Sequence, residues 1–266
     1  MIIYSLSLFQ DTSLDLLLSN TYLLAGLFFI IAFTYSSVGM GGGSSYTALM
    51  AIVGFNILAI PMISLSLNLC VTTIGSFNFI RYKHARFGLI LPFLIGSIPM
   101  AYFGGSLNLP KEIFYWVLLI SLIFVAARIY LWKNTSFTLP LSKFGQLLLS
   151  LFSGSILGLI AGIVGIGGGV YLVPLIIVLG LGSQKEAAAC GAIFIWLNSV
   201  AGLASRVQYN SINLLDYWPY IAAVLMGGAI GSLLGSSKFS AKTMEKILGI
   251  VILIAIILLT RKIFLL

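Results

Sequence analysis

The chain has 266 residues, of which 60% are hydrophobic and 8% charged, and its mean hydropathy is +1.14. A soluble domain carries roughly one-quarter charged residues, so this composition excludes one and leaves an integral membrane protein. The net charge of +8 comes from basic residues scattered singly at the ends of apolar runs, a pattern of membrane anchoring and orientation rather than of nucleic-acid binding.

The apolar runs approach the roughly 20 residues that a helix needs to cross hydrocarbon, and the short alternating segments of a membrane β-barrel are missing. The fold class read from this is all-α, a polytopic membrane helical bundle. Residues 1–20 form an N-terminal segment; its apolar start has no preceding Lys or Arg and is followed by Asp11 and Asp15, which argues against a secretory leader.

Residues 21–38 are a first apolar run, and it ends at Gly39-Met40-Gly41-Gly42-Gly43. Glycine gives up backbone entropy and packs no side chain, so this stretch breaks a helix. Residues 44–55 resume the run for about 18 Å at 1.5 Å per residue, too short for a crossing. Full spans follow at 60–80, 87–107 and 113–132, with the basic cluster Arg81, Lys83, His84 and Arg86 after the first of them. Residues 21–132 make one membrane repeat, and the polar stretch 133–143 connects it to the next.

The second repeat, 144–266, restates the first. A run at 144–164 ends at Gly165-Ile166-Gly167-Gly168-Gly169, 126 positions after the first break (165 − 39). A short run at 170–181 and spans at 187–205, 218–236 and 247–259 follow. The penultimate spans are glycine-rich, with Gly96, Gly104 and Gly105 answered by Gly227, Gly228, Gly231 and Gly235, a composition that lets helices approach closely in lipid. Cys70 and Cys190 lie inside apolar runs and read as packing residues.

Each half thus has a glycine-broken helical hairpin plus three spans. An odd number of crossings per half makes the repeats inverted. With the Arg81–Arg86 loop inside, most Lys and Arg fall at inner ends, while Lys111, Arg206, Arg261 and Lys262 fall outside; this predicts both termini outside.

Inverted repeats with paired broken helices mark secondary transporters that bind substrate near the midplane. A helix starting directly after Gly41, Gly42 and Gly43, or after Gly167, Gly168 and Gly169, presents N–H groups without intrahelical partners and the positive end of its dipole. Two such ends suit a small oxyanion; Ser44 follows the first. The plainer reading of these glycines is tight hairpin packing. Asn68, Thr72 and Ser76 recur every fourth residue on one helical face, and the 126-residue shift sets Thr72 against Asn198. This polar stripe is either interhelical glue or pore lining. Arg81 and Arg206 end matching spans, as gates or anion-attracting groups at the two mouths, or as anchors reaching to head groups.

The six acidic residues, Asp11, Asp15, Glu112, Glu186, Asp216 and Glu245, lie in the N-terminal segment, in loops or at span ends. This disfavours a carboxylate proton relay and a cation path, though sodium coupling through carbonyls and hydroxyls stays open beside proton coupling. No catalytic triad, nucleotide-binding loop, metal cluster or cofactor motif is legible, so the chain is read as no enzyme, with no cofactor.

The two glycine motifs, the second followed by Val173-Pro174-Leu175, resemble the paired signature of the TauE/SafE sulfite exporter family over about residues 21–259. The first copy departs from it, with Ser44-Ser45-Tyr46-Thr47-Ala48-Leu49 where a proline is expected. The resemblance implies export of a small sulfur-containing anion, sulfite or a sulfonate such as sulfoacetate, across the inner (cytoplasmic) membrane by alternating access. The alternatives are a passive anion channel, an uptake permease for another small anion, and a membrane-embedded enzyme or assembly factor.

Overall fold

In the computed structural model, residues 20–131, 142–210, 212–238 and 241–264 are described, and no strand occurs among them. Most of the expected N-terminal segment and connector lie outside the described residues. Among the described residues ten α-helices follow in two sets of five. The first set is α1 (Thr21–Ser37), α2 (Gly43–Val53), α3 (Ala59–Arg81), α4 (Phe87–Ser106) and α5 (Lys111–Leu131). The second is α6 (Lys143–Val164), α7 (Gly169–Val178), α8 (Gln184–Arg206), α9 (Trp218–Ser237) and α10 (Ala241–Phe264), with a 3-10 turn at Leu214–Tyr217 before α9.

Local chemistry sets the boundaries. Asn20 caps α1 by accepting from the N–H groups of Tyr22 and Leu23. Ser183 and Glu186 form a reciprocal capping box at the start of α8. Both breaks turn on left-handed glycines: φ is +77° at Gly39 and +91° at Gly42 in the first, +79° at Gly165, +78° at Gly167 and +81° at Gly168 in the second.

Among the described residues, six helices are long and apolar enough to cross a membrane: α3, α4, α5, α6, α8, and α9 with its preceding turn. Their outer faces present large apolar side chains such as Phe77, Trp116, Ile120, Phe152 and Ile230. In water such a surface would drive aggregation; in a bilayer it faces lipid.

After the first break the chain reverses, and α2 runs back along α1. Tyr46 stacks at 5.3 Å from Phe28, and the Tyr35 hydroxyl reaches the Ser44 and Ser45 hydroxyls at 2.9 and 2.7 Å. The helix pairings recur when the two sets are exchanged: α4 packs on α6 and α9 on α1, α4 also meets α8 while α9 meets α3, and the pairs α3–α8 and α5–α10 close the arrangement.

Small residues allow the closest of these contacts. Gly154, Gly158 and Gly162 of α6 face the carbonyls of Phe93, Ser97 and Ala101 on α4, while Gly227, Gly231 and Gly235 of α9 face those of Phe29, Phe33 and Ser37 on α1. Every position in both series is four residues from the next, so each series forms one seam of a helix.

At the centre, α3 and α8 cross antiparallel: Gly75 meets Ala192 near one end, and Leu65 meets Gly202 near the other. The two breaks are pressed against this pair, Gly39 against the backbone of Ala188 and Gly165 against Pro61.

Candidate functional site

Both glycine breaks are buried throughout, residues 38–44 and 164–170 alike. They meet at one place, around Asn68 of α3 and Ile195 of α8. A Cβ on Gly41 would lie 2.5 Å from Asn68 Oδ1 and 3.1 Å from Ile195 Cγ2. One on Gly43 would strike the Asn68 amide nitrogen and sit 2.7 Å from the Ile166 carbonyl oxygen. One on Gly167 would lie 2.6 Å from Ile195 Cγ2 and 3.1 Å from both Asn68 Nδ2 and Ser199 Oγ. Glycine at these positions is what brings two backbones, an amide and a hydroxyl into one small volume.

Side chains of α3 hold the breaks together. Asn68 Nδ2 donates to the Ile166 carbonyl at 3.1 Å. Ser64, one turn earlier, has its Oγ 2.7 Å from the Gly165 carbonyl and 3.2 Å from that of Gly43, and accepts from Thr47 Oγ1 at 3.0 Å. The clamp is one-sided. Positions 190 and 194 of α8, which the 126-residue shift sets against Ser64 and Asn68, hold Cys190 and Phe194. Cys190 Sγ sits 3.9 Å from the Arg86 carbonyl instead, and Cys70 and Cys190 are both free thiols.

The helices that leave the breaks offer donors. The ladder of α2 begins with Tyr46 N–H to Gly42 and that of α7 with Tyr171 N–H to Gly168. The N–H groups of Gly43, Ser44 and Ser45, and of Gly169 and Val170, precede those ladders, at the positive ends of the two helix dipoles.

The expected residues divide accordingly. Gly41, Gly43, Gly167 and Asn68 come together, and Gly169 joins them through Ile195, with the Gly191 carbonyl 3.0 Å from its would-be Cβ. Gly42 turns toward the Tyr46 ring, and Gly168 toward Phe194 and Ala161. The Ser44 hydroxyl points to Tyr35. Thr72 donates to the Asn68 carbonyl at 2.7 Å and Asn198 to the Phe194 carbonyl at 2.8 Å, so the two symmetry-matched residues make the same bond to their own helix, four residues back. Ser76 Oγ is buried without a hydrogen-bond partner, as are Asn68 Oδ1, Asn198 Oδ1 and Ser199 Oγ.

The matched arginines differ. Arg81 is exposed at the end of α3, whereas Arg206 is 2% exposed and is the one charged residue among the buried ones described. Its Nη2 donates to the carbonyls of Gly162 and Ile163 at 2.9 and 2.7 Å, so it caps the C-terminus of α6 immediately before the second break. Lysines do the same elsewhere: Lys262 reaches the Ile52 carbonyl at the end of α2, and Lys185 the Ser236 carbonyl at the end of α9.

Sequence reasoning left Ser64, Ile195 and Ser199 out of the site. Ser64 had a signal, since it extends the stripe of Asn68 and Thr72 by one turn; Ile195 had none, because an isoleucine in an apolar helix carries no mark of its position. Among the described residues, no three His, Cys, Asp or Glu side chains are grouped to hold a metal ion.

The family described as "Sulfite exporter TauE/SafE" matches residues 24–259. "Probable membrane transporter protein y4hK" of Sinorhizobium fredii is 35% identical over 238 residues, 87% of this chain and 95% of that protein. A protein of Methanocaldococcus jannaschii, also named a probable membrane transporter protein, is 25% identical over 233 residues, 82% of this chain and 84% of its own. "Probable membrane transporter protein YunE" of Bacillus subtilis is 32% identical over 102 residues, 37% of this chain and 36% of that one. No solved structure matches.

Proposed function

The chain belongs to the sulfite exporter TauE/SafE family, and from this premise we propose that it exports a small sulfur oxyanion or sulfonate across the cytoplasmic membrane by alternating access. Membership makes it a multi-pass membrane transporter; the anion, its direction and the route are this proposal's content.

The observation that carries it is the meeting of the two glycine breaks at Asn68 and Ile195. The N–H groups of Gly43, Ser44 and Ser45 face the anion from one half, and those of Gly169 and Val170 from the other. Each end adds a positive dipole, the usual means by which broken membrane helices hold an anionic group. The amides of Asn68 and Asn198 each retain a second N–H to complete the cradle.

The mechanism follows from the packing. Ser64 and Asn68 tie the breaks to each other, so the anion is enclosed when both hydrogen-bond sets are made. Parting one break from α3 opens the cradle toward one side; parting the other opens it to the opposite side. A site this closely packed favours a carrier over a passive channel, which needs a continuous path. The helices that leave the breaks, α2 of 11 residues and α7 of 10, are too short to cross by themselves. The exchange of helix pairings between the two sets of five supports inverted repeats, and the basic residues at the inner ends support both termini outside.

The test is uptake of radiolabelled sulfite into liposomes containing the purified protein, with sulfate, sulfoacetate, taurine and acetate as unlabelled competitors. Saturable uptake, reduced by sulfur anions and not by acetate, is expected. Flux that rises linearly without saturation would replace the carrier by a channel, and equal competition by acetate would withdraw the sulfur specificity.

A further inference from the structure

We propose that the meeting point of the two breaks holds a monovalent alkali cation, sodium in the first instance, liganded by Asn68 Oδ1 and Ser199 Oγ with Asn198 Oδ1 from the next position of α8. The inference deepens the anion reading by naming its coupling ion, but the cation site stands on different atoms.

The orientation of both amides is settled by their partners. Asn68 Nδ2 faces the Ile166 carbonyl and Asn198 Nδ2 the Phe194 carbonyl, and only a nitrogen can donate there. Each oxygen therefore points the other way, into protein, and neither meets a donor. Asn68 and Asn198 are 0% and 1% exposed, and Ser199 is 0% exposed with its hydroxyl also unpartnered. An amide oxygen buried without a partner is costly, and a membrane interior supplies no alternative donor.

Two of the acceptors border one region, and the third belongs to the neighbouring residue of α8. Asn68 Oδ1 borders Gly41, and the Asn68 amide and Ser199 hydroxyl both border Gly167. Asn198 adjoins Ser199, one turn after Ile195, whose Cγ2 touches the positions of Gly41 and Gly167 alike. Oxygen acceptors beside unwound backbone are the ligands that broken-helix transporters offer to sodium.

Charge decides the cation's class. The acidic residues nearest in sequence to these helices, Glu112, Glu186 and Asp216, sit at helix starts, and none lies within the breaks. Neutral oxygens alone do not compensate a divalent ion, which takes carboxylates. A monovalent cation next to a bound monoanion, hydrogensulfite or a monosulfonate, makes a neutral pair, which is held in a low-dielectric site at less desolvation cost than either ion alone.

The test is thermal unfolding of the purified, detergent-solubilised protein in NaCl, KCl and choline chloride at equal ionic strength, first without any sulfur anion and then with sulfite. Sodium is expected to raise Tm saturably above choline with no sulfite present. In Ser199→Ala and Asn198→Ala, the half-saturating sodium concentration is expected to rise roughly tenfold, the loss of one good ligand, with Tm in choline near wild type. If Tm in sodium equals that in choline, or both variants keep the wild-type half-saturation, the cation site is overturned. A sulfite-induced shift of the same size in sodium and choline also overturns it, while leaving the anion cradle standing. If either variant proves unfolded in choline, Ser199→Thr, which keeps the hydroxyl, is expected to retain sodium stabilisation, and its failure to do so counts against the site.

Discussion

Asn68 of α3 donates its amide N–H to the carbonyl of Ile166 at 3.1 Å, and so ties the first half of the chain to the glycine break of the second. The bond is buried. Replacing Asn68 with Ala removes the donor and leaves a buried carbonyl alone, a loss of about 1–3 kcal/mol. Asn68→Ala is expected to lower Tm modestly and to abolish saturable sulfite uptake. Uptake at the wild-type rate in a folded Asn68→Ala protein would remove Asn68 from the site.

Ser64 makes a sharper comparison, because its hydroxyl approaches carbonyls of both breaks, Gly43 and Gly165. Ser64→Ala removes one small group and little volume, so the fold is expected to survive with a Tm loss equivalent to about 1 kcal/mol. If the two breaks part during transport, Ser64→Ala favours the parted state. The expected readout, with Cys70 and Cys190 replaced by Ala, is faster modification by a thiol reagent of a Ser199→Cys protein in the Ser64→Ala background than in Ser64 wild type. Equal rates would mean that Ser64 is packing only.

The two arginines separate a structural cation from an exposed one. Arg206→Met deletes two charge-assisted hydrogen bonds to the last turn of α6, each worth about 1.5–3 kcal/mol, and is expected to depress Tm strongly. Arg81→Gln, at an exposed helix end, is expected to leave Tm within the scatter of the measurement. Arg206→Lys keeps the charge but not the paired geometry and should fall between them. A folded Arg206→Met protein with normal Tm and a raised KM for sulfite would instead make Arg206 an anion-attracting group.

Much of this was legible before any geometry. The two breaks, the spans and the polar stripe of Asn68 and Thr72 follow from glycine's effect on helices and from helical periodicity. What stayed hidden is the direction in which each side chain turns. Thr72 and Asn198 occupy matched positions, and both bond back to their own helices, a choice that composition does not reveal. Arg81 and Arg206 end matched spans, yet one is exposed and the other buried, because only Arg206 meets the end of a neighbouring helix. The glycines of the penultimate spans were readable as contact residues, but the groups they face lie on α6 and α8 for the first span and on α1 and α3 for the second, and that pairing is set by tertiary packing.

The glycine seams and the glycine breaks respond differently to substitution. Gly231 faces the Phe33 carbonyl across the α9–α1 seam, and Gly26 has open space around it. Gly231→Leu is expected to forfeit the seam and yield little folded protein, whereas Gly26→Leu folds and transports normally. Size-exclusion profiles of the two detergent-solubilised variants decide the matter, and a monodisperse Gly231→Leu protein would show that the seam can widen.

Within the breaks, alanine scanning distinguishes strain from crowding. Gly42 and Gly168 have φ of +91° and +81°, so alanine there is strained whatever the space and reports on folding as much as on transport. Gly43 and Gly169 lack positive φ, and alanine tests only the close approach. At Gly43 the added methyl meets the Asn68 amide and, at 2.7 Å, the Ile166 carbonyl, neither of which moves without breaking the clamp between halves. At Gly169 it meets chiefly the flexible end of Ile195, with the Gly191 carbonyl at 3.0 Å. Gly43→Ala is therefore expected to abolish uptake, and Gly169→Ala to reduce it several-fold, with Ile195→Val restoring part of the loss by clearing the methyl's path. If Ile195→Val gives no rescue, or if Gly43→Ala transports as well as Gly169→Ala, the shared contact at Asn68 and Ile195 is not where the two halves handle their substrate.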